Sequence, residues 1–79
     1  MITQAEARRI AEEFLDVELR VRYPGDIVVI EYAIRDRGDA WVFPYDGRGY
    51  LERGDFNEAL GGNLPVVVDK ETGAVGYAE

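Results

Sequence analysis

Trp41-Val42-Phe43-Pro44-Tyr45 places three of the chain's nine aromatic residues on one face of a strand, because side chains alternate along extended backbone. With only 79 residues to form a core, rings of that size must be buried together or shown to a partner. Pro44 has no amide to donate, which puts it at a bulge or an unpaired stretch. The chain is expected to form a single domain over residues 1–79, with Trp41 and Phe43 packed on Phe14 and Ile10.

The helix that supplies those two partners begins at a capping box. Thr3 can accept from the Glu6 amide while Glu6 reaches back to the Thr3 amide, so the helix starts at Gln4. Ala7, Ile10, Ala11 and Phe14 then recur at helical spacing, a stripe that Val17 and Val21 extend. Arg8, Arg9, Glu12, Glu13 and Asp16 form the solvated side, where Asp16–Arg20 and Glu18–Arg22 have the favoured acid-first i, i+4 order. Tyr23-Pro24-Gly25-Asp26 ends the helix.

Ile27 to Arg35 reads as a strand rich in β-branched residues, with Val28, Ile30, Tyr32 and Ile34 on one face and Ile27, Val29, Glu31 and Ala33 on the other. Asp36-Arg37-Gly38-Asp39 turns it back into the aromatic strand Ala40 to Asp46, giving a hairpin. Gly47-Arg48-Gly49 breaks that strand. Asp55 to Leu60 has the pattern of a short helix capped by Asp55 and stopped by Gly61-Gly62. Leu64 to Asp69 and Ala74 to Ala78 form a second hairpin around Lys70-Glu71-Thr72-Gly73, with Gly73 in the left-handed position.

The expected architecture is therefore α+β: an N-terminal helix on a four-stranded, mainly antiparallel sheet, in the order helix, two strands, short helix, two strands. One helix covers one face of such a sheet, so Ile27, Val29, Val42 and Val67 need a second cover. The candidates are the short helix with its loop, a second copy of the chain forming a homodimer through that face, or another molecule.

The residues that are missing exclude more chemistry than those present suggest. The chain has no cysteine, histidine or serine, which removes thiol and serine nucleophiles, the imidazole base and the usual zinc ligands. Carboxylates such as Asp46, Glu52, Asp55 and Glu58 remain, but a glycosidase-like pair needs a cleft that a chain of this size rarely builds. Their spacing fits no EF-hand loop either. No catalytic, cofactor or metal residue is assigned. A net charge of −7 disfavours nucleic acid and anionic membrane as partners, since phosphate binding needs clustered Lys and Arg. No apolar run approaches the ~18 residues that mark a membrane span, and no leader pattern is seen, so a cytoplasmic protein is expected. Arg37-Gly38-Asp39 and Arg53-Gly54-Asp55 have the form of integrin ligands, yet Gly and Asp are what turns and caps require, and they are read as such.

Three stretches, taken together, resemble the immunity protein 35 family. They are Ala-Trp-Val-Phe-Pro-Tyr-Asp from Ala40, Tyr50-Leu51-Glu52-x-Gly54-Asp55-Phe56, and Ala59-Leu60-Gly61-Gly62-Asn63-x-Pro65-Val66-Val67-Val68-Asp69-Lys70-x-Thr72-Gly73. The helix opening Ile2-Thr3-x-x-Glu6-Ala7 adds to the likeness, whereas Pro44, Gly47 and Gly49 depart from it. The resemblance implies an α+β domain encoded beside a bacterial polymorphic toxin, which binds that cognate toxin and blocks it without catalysis. On that reading the acidic surface steers association with a basic rim on the toxin. Tyr45, Asp46, Tyr50, Glu52 and Asp55 are the candidate partner-binding residues, because Gly-flanked loops present aromatic anchors beside acids. The competing readings are a chaperone-like interaction module using an apolar sheet face, and a small carboxylate enzyme.

Overall fold

The computed structural model describes residues 1–23, 25–61 and 63–78. Helix α1, Gln4–Glu18, opens on the capping box: the Thr3 amide donates to Glu6 Oε1 at 3.0 Å and the Glu6 amide to Thr3 Oγ1 at 3.2 Å. Its buried line is Ala7, Ala11 and Leu15, each one turn beyond the last, with Ile10 and Phe14 half-buried beside it. Val17 and Val21, expected in this stripe, are instead 70% and 75% exposed. The helix ends at Glu18, so the spacing that would carry Val21 onto the core lapses, and Leu15 takes the place assigned to Val17. Asp16 pairs with Arg20 at 2.9 Å, while Glu18 and Arg22 form no ion pair among the described residues. The turn expected over 23–26 includes Pro24, which lies outside the described residues.

Two antiparallel sheets replace the single one expected. Strands β2 (Arg35–Asp36), β3 (Ala40–Phe43), β5 (Val66–Asp69) and β6 (Val75–Tyr77) make a four-stranded sheet in the order β2-β3-β5-β6. Strands β1 (Ile27–Val29) and β4 (Tyr45–Gly47) make a two-stranded one. Both proposed strands of the first hairpin are interrupted at the same level. The aromatic strand breaks at Pro44, as its missing amide requires, and its partner breaks into a 3-10 turn at Glu31–Ala33. The Ile30 amide bridges the gap by donating to the Pro44 carbonyl at 2.8 Å.

This interruption explains a corrected face assignment. Between Val29↔Tyr45 and Arg35↔Val42 the first side advances six residues and the aromatic side three. Three extra residues reverse the alternation, so Ile27 and Val29 face the core before the turn and Ile34 does so after it. Of the four residues expected to need a second cover, Val42 and Val67 remain on the far face of the four-stranded sheet, and Val42 is already buried there at 4% exposure. The aromatic side keeps its parity, and Phe43 and Tyr45 both enter the core beside Val66 and Val68.

The break at Gly47-Arg48-Gly49 is the start of a helix, α2, Arg48–Arg53. The short helix expected over Asp55 to Leu60 is a single 3-10 turn, Phe56–Glu58, with the predicted Asp55 cap accepting from the Asn57 amide at 3.0 Å. Its expected stop includes Gly62, outside the described residues. In the last hairpin Gly73 has φ 76°, the left-handed conformation the turn chemistry required. Both Arg-Gly-Asp triplets are turn or cap segments, with Gly38 and Gly54 at positive φ.

Trp41 is half-buried: its Nε1 donates to the Ile2 carbonyl at 3.3 Å, and Lys70 Nζ lies 4.4 Å from its ring centroid. Lys70 also meets Asp36 Oδ1 at 2.5 Å, tying β5 to the edge strand β2. The Lys70 contact, helped by the Gly38 amide, holds the Asp36 carboxyl below its ordinary value. Glu6 is lowered by Thr3, Asp39 by Arg37, and Asp69 by the Thr72 and Glu71 amides. Groups depressed on folding add stability above their unfolded pKa and lose it as pH falls through the folded one. Thermal stability should therefore be level from about pH 5 to 8 with respect to these groups and fall below about pH 4. Melting curves across that range test this; a midpoint unchanged down to pH 3 would refute it.

Candidate protein-interaction surface

The chain between β4 and β5 folds into a lobe whose base is closed by two side chains. Asp46 Oδ1 accepts from the Gly47 amide at 2.8 Å and from the Leu60 amide at 2.9 Å, so the end of the lobe is held to its beginning. Asn63 Nδ2 donates to the Tyr45 carbonyl at 2.8 Å. Gly47 lies so close to Glu58 that a Cβ there would overlap the Glu58 carbonyl oxygen, which is how the 3-10 turn comes to sit directly on the strand end. Arg48 anchors the other side, its amide donating to the Asp26 carbonyl at 2.7 Å and its Nε to Asp26 Oδ2 at 2.6 Å.

On this base α2 and the 3-10 turn pack against each other and on β4. Tyr50 and Phe56 stand with ring centroids 5.8 Å apart and planes tilted by 49°. Phe56 is 82% exposed, an unusual position for a phenylalanine, and Leu51 is exposed beside Tyr50 along α2. Glu52 is exposed and reaches Arg48 at 3.3 Å, and Asp55 caps the turn that carries Phe56.

The five sequence-based candidates separate into two groups. Tyr50, Glu52 and Asp55 come together on the lobe. Tyr45 does not: it is 3% exposed within the core, where burial raises its phenol pKa, and a ring so placed has no surface to offer. Asp46 is half-buried, with one oxygen committed to two amides. Phe56, which the expected short helix over Asp55 to Leu60 included without marking it as a surface residue, is an exposed ring that the sequence reading missed. The signal was there: a turn bounded by Gly54 and Gly61 is too short to give Phe56 a buried face of its own.

Beside the lobe a cleft of about 390 Å³ is lined by Tyr23, Asp26, Ile27, Glu58 and Leu60. Its two acids are neutralised, Asp26 by Arg48 at 2.6 Å and Glu58 by Arg53 at 2.8 Å. Among the described residues no group of three or more Asp, Glu, His or Cys side chains is placed to hold a metal ion, and no helix is long and apolar enough to cross a membrane.

A helix on antiparallel sheets with an aromatic, acid-flanked lobe defines a small α+β domain. The chain belongs to the Immunity protein 35 family, whose model matches residues 5–78. It is also 31% identical over 75 residues to "Uncharacterized protein YrhB" of Escherichia coli (strain K12), covering 95% of this chain and 72% of that one. No solved structure gives a significant match.

Proposed function

We propose that the chain is a non-catalytic immunity protein, acting in the cytoplasm of a bacterium, that neutralises a cognate toxin by binding it through the lobe formed by α2 and the 3-10 turn. Family membership supports the class of function. The exposed Phe56 ring against Tyr50 is the observation that carries the surface, since buried aromatic anchors dominate protein–protein binding energy and solvent-exposed ones are otherwise costly. Glu52 and Asp55 flank the pair and contribute to the rate of encounter with a basic partner more than to final affinity.

Co-expression with the adjacent reading frame is the test, scored by survival and by affinity in vitro. Phe56→Ala is expected to weaken binding about tenfold or more at an unchanged melting temperature. Glu52→Gln should slow association chiefly at low salt. Full protection and unaltered affinity in the double variant Tyr50→Ala/Phe56→Ala would remove the lobe from the interface.

A second reading has one observation in its favour. Register places Arg35, Val42, Val67 and Gly76 in one row across the face of the four-stranded sheet opposite α1. Val67 is the half-buried apolar side chain of that row, Val42 being buried already, and a chaperone-like module or a homodimer would use it. Val67→Lys distinguishes these from the lobe, because it changes the sheet face and leaves Tyr50 and Phe56 untouched.

A further inference from the structure

The two edges of the four-stranded sheet are built differently. Strand β2 is two residues long, Arg35 and Asp36, and runs straight into Arg37, so one edge is short and charged. Strand β6 is Val75-Gly76-Tyr77 between Ala74 and Ala78, without a charge or a proline. Charge, proline and brevity are the devices that keep an edge from pairing with another chain, and β6 keeps only brevity.

Its backbone is also oriented for pairing. The Asp69 amide donates to the Ala74 carbonyl and the Ala78 amide to the Pro65 carbonyl, both at 2.8 Å. Antiparallel ladders alternate, so Ala74, Gly76 and Ala78 turn their polar groups toward β5, while Val75 and Tyr77 turn theirs outward to the open edge. The side chains of Val75 and Tyr77 lie on the α1 face, where Tyr77 meets Phe14 edge-on at 5.0 Å. Both remain more than a third exposed. The side of α1 above this edge runs through Ile10, which approaches Gly73, and Phe14 to Val17, the exposed valine that helical spacing had assigned to the core.

We propose that β6 pairs with β6 of a second copy of this chain, in antiparallel register about Gly76, to form a two-fold dimer with one continuous sheet. The segment is complementary to itself. Centring the pairing on Gly76 places Val75 opposite Tyr77 of the second copy and Tyr77 opposite its Val75, and these are the residues whose amides and carbonyls point outward. Each pair is a β-branched residue against an aromatic one, a favourable cross-strand combination. Glycine at the two-fold axis lets the backbones meet without a side-chain clash on the other face. The same operation brings the two α1 helices together on one side of the sheet along the Val17 edge. The lobe is built on β4 in the other sheet, so β6 and its pairing edge are not part of it. This pairing does not depend on what the lobe binds.

Sedimentation of the full chain from low micromolar to near-millimolar concentration tests it, with amide exchange of Val75 and Tyr77 as the second measurement. A concentration-dependent dimer is expected, in which those two amides gain protection as it forms. Val75→Lys and Val17→Lys should each weaken it about tenfold or more, and Val67→Lys, on the opposite face, should leave it intact. A wild-type chain that stays monomeric throughout would overturn the proposal. So would a dimer dissolved by Val67→Lys, or one whose Val75 and Tyr77 amides exchange as fast as in the monomer.

Discussion

Phe43→Ala is expected to lower the melting temperature by about 15 °C or more and to leave a substantial unfolded fraction at physiological temperature. Phe43 is fully buried, pairs with Val66 across β3 and β5, and belongs to the cluster that holds Ala7, Ala11 and Leu15 of α1. Removing the ring costs the transfer energy of its carbons and leaves a cavity, together about 3 to 5 kcal/mol. A chain of this length has on the order of 4 to 12 kcal/mol of total stability, so one side chain carries a large share. The alanines of α1 make the loss hard to repair, because small side chains cannot swing into the space. Thermal or urea denaturation followed by circular dichroism measures it. A shift below about 5 °C would mean that the helix and sheet do not meet on this ring.

Gly47→Ala is the second large effect, and its cause is not a loss of contact but a forced one. The backbone at Gly47 has φ −69° and ψ 134°, which alanine adopts freely, so conformational strain plays no part. The added Cβ would overlap the carbonyl oxygen of Glu58, a backbone atom that moves only if the 3-10 turn lifts off the strand. The expected cost is about 2 to 3 kcal/mol, together with loss of whatever the lobe binds. Gly49→Ala is the matched control. There the new carbon meets the ends of the Glu58 and Arg53 side chains, which can rotate away at the expense of an ion pair worth about 1 kcal/mol or less. Equal stability of the two variants would show that the turn is not seated on Gly47.

These two positions differ in how far the sequence announces them. Phe43 was legible because alternation around Trp41 and Tyr45 is local, and Pro44 marks its own break by lacking an amide. Gly47-Arg48-Gly49 read as the end of the strand, and β4 does stop at Gly47, but the reason a glycine stands there was not legible. Its absent side chain answers to Glu58, a neighbour in space but not in sequence, and no local pattern records that. The same distinction runs through the candidate surface. Gly-flanked aromatic and acidic residues pointed to the segment that holds Tyr50, Glu52 and Asp55, but they offered Tyr45 as a surface ring and passed over Phe56. The β4 register sends Tyr45 inward opposite Val29, and a one-turn element leaves Phe56 outside.

From its residues alone the chain determined its helix cap at Thr3, the hairpin around Gly73, the α+β class, and a family resemblance that the family match bears out. Caps, turns and alternation act over a few residues, so they can be read one after another. Only the tertiary structure decided that two sheets form, that Ile27 and Val29 point inward, that Val17 stays in solvent, and that one sheet edge lies open. Each of those depends on a count of residues between contacts far apart in the chain, and three extra residues opposite Pro44 were enough to reverse which face is buried.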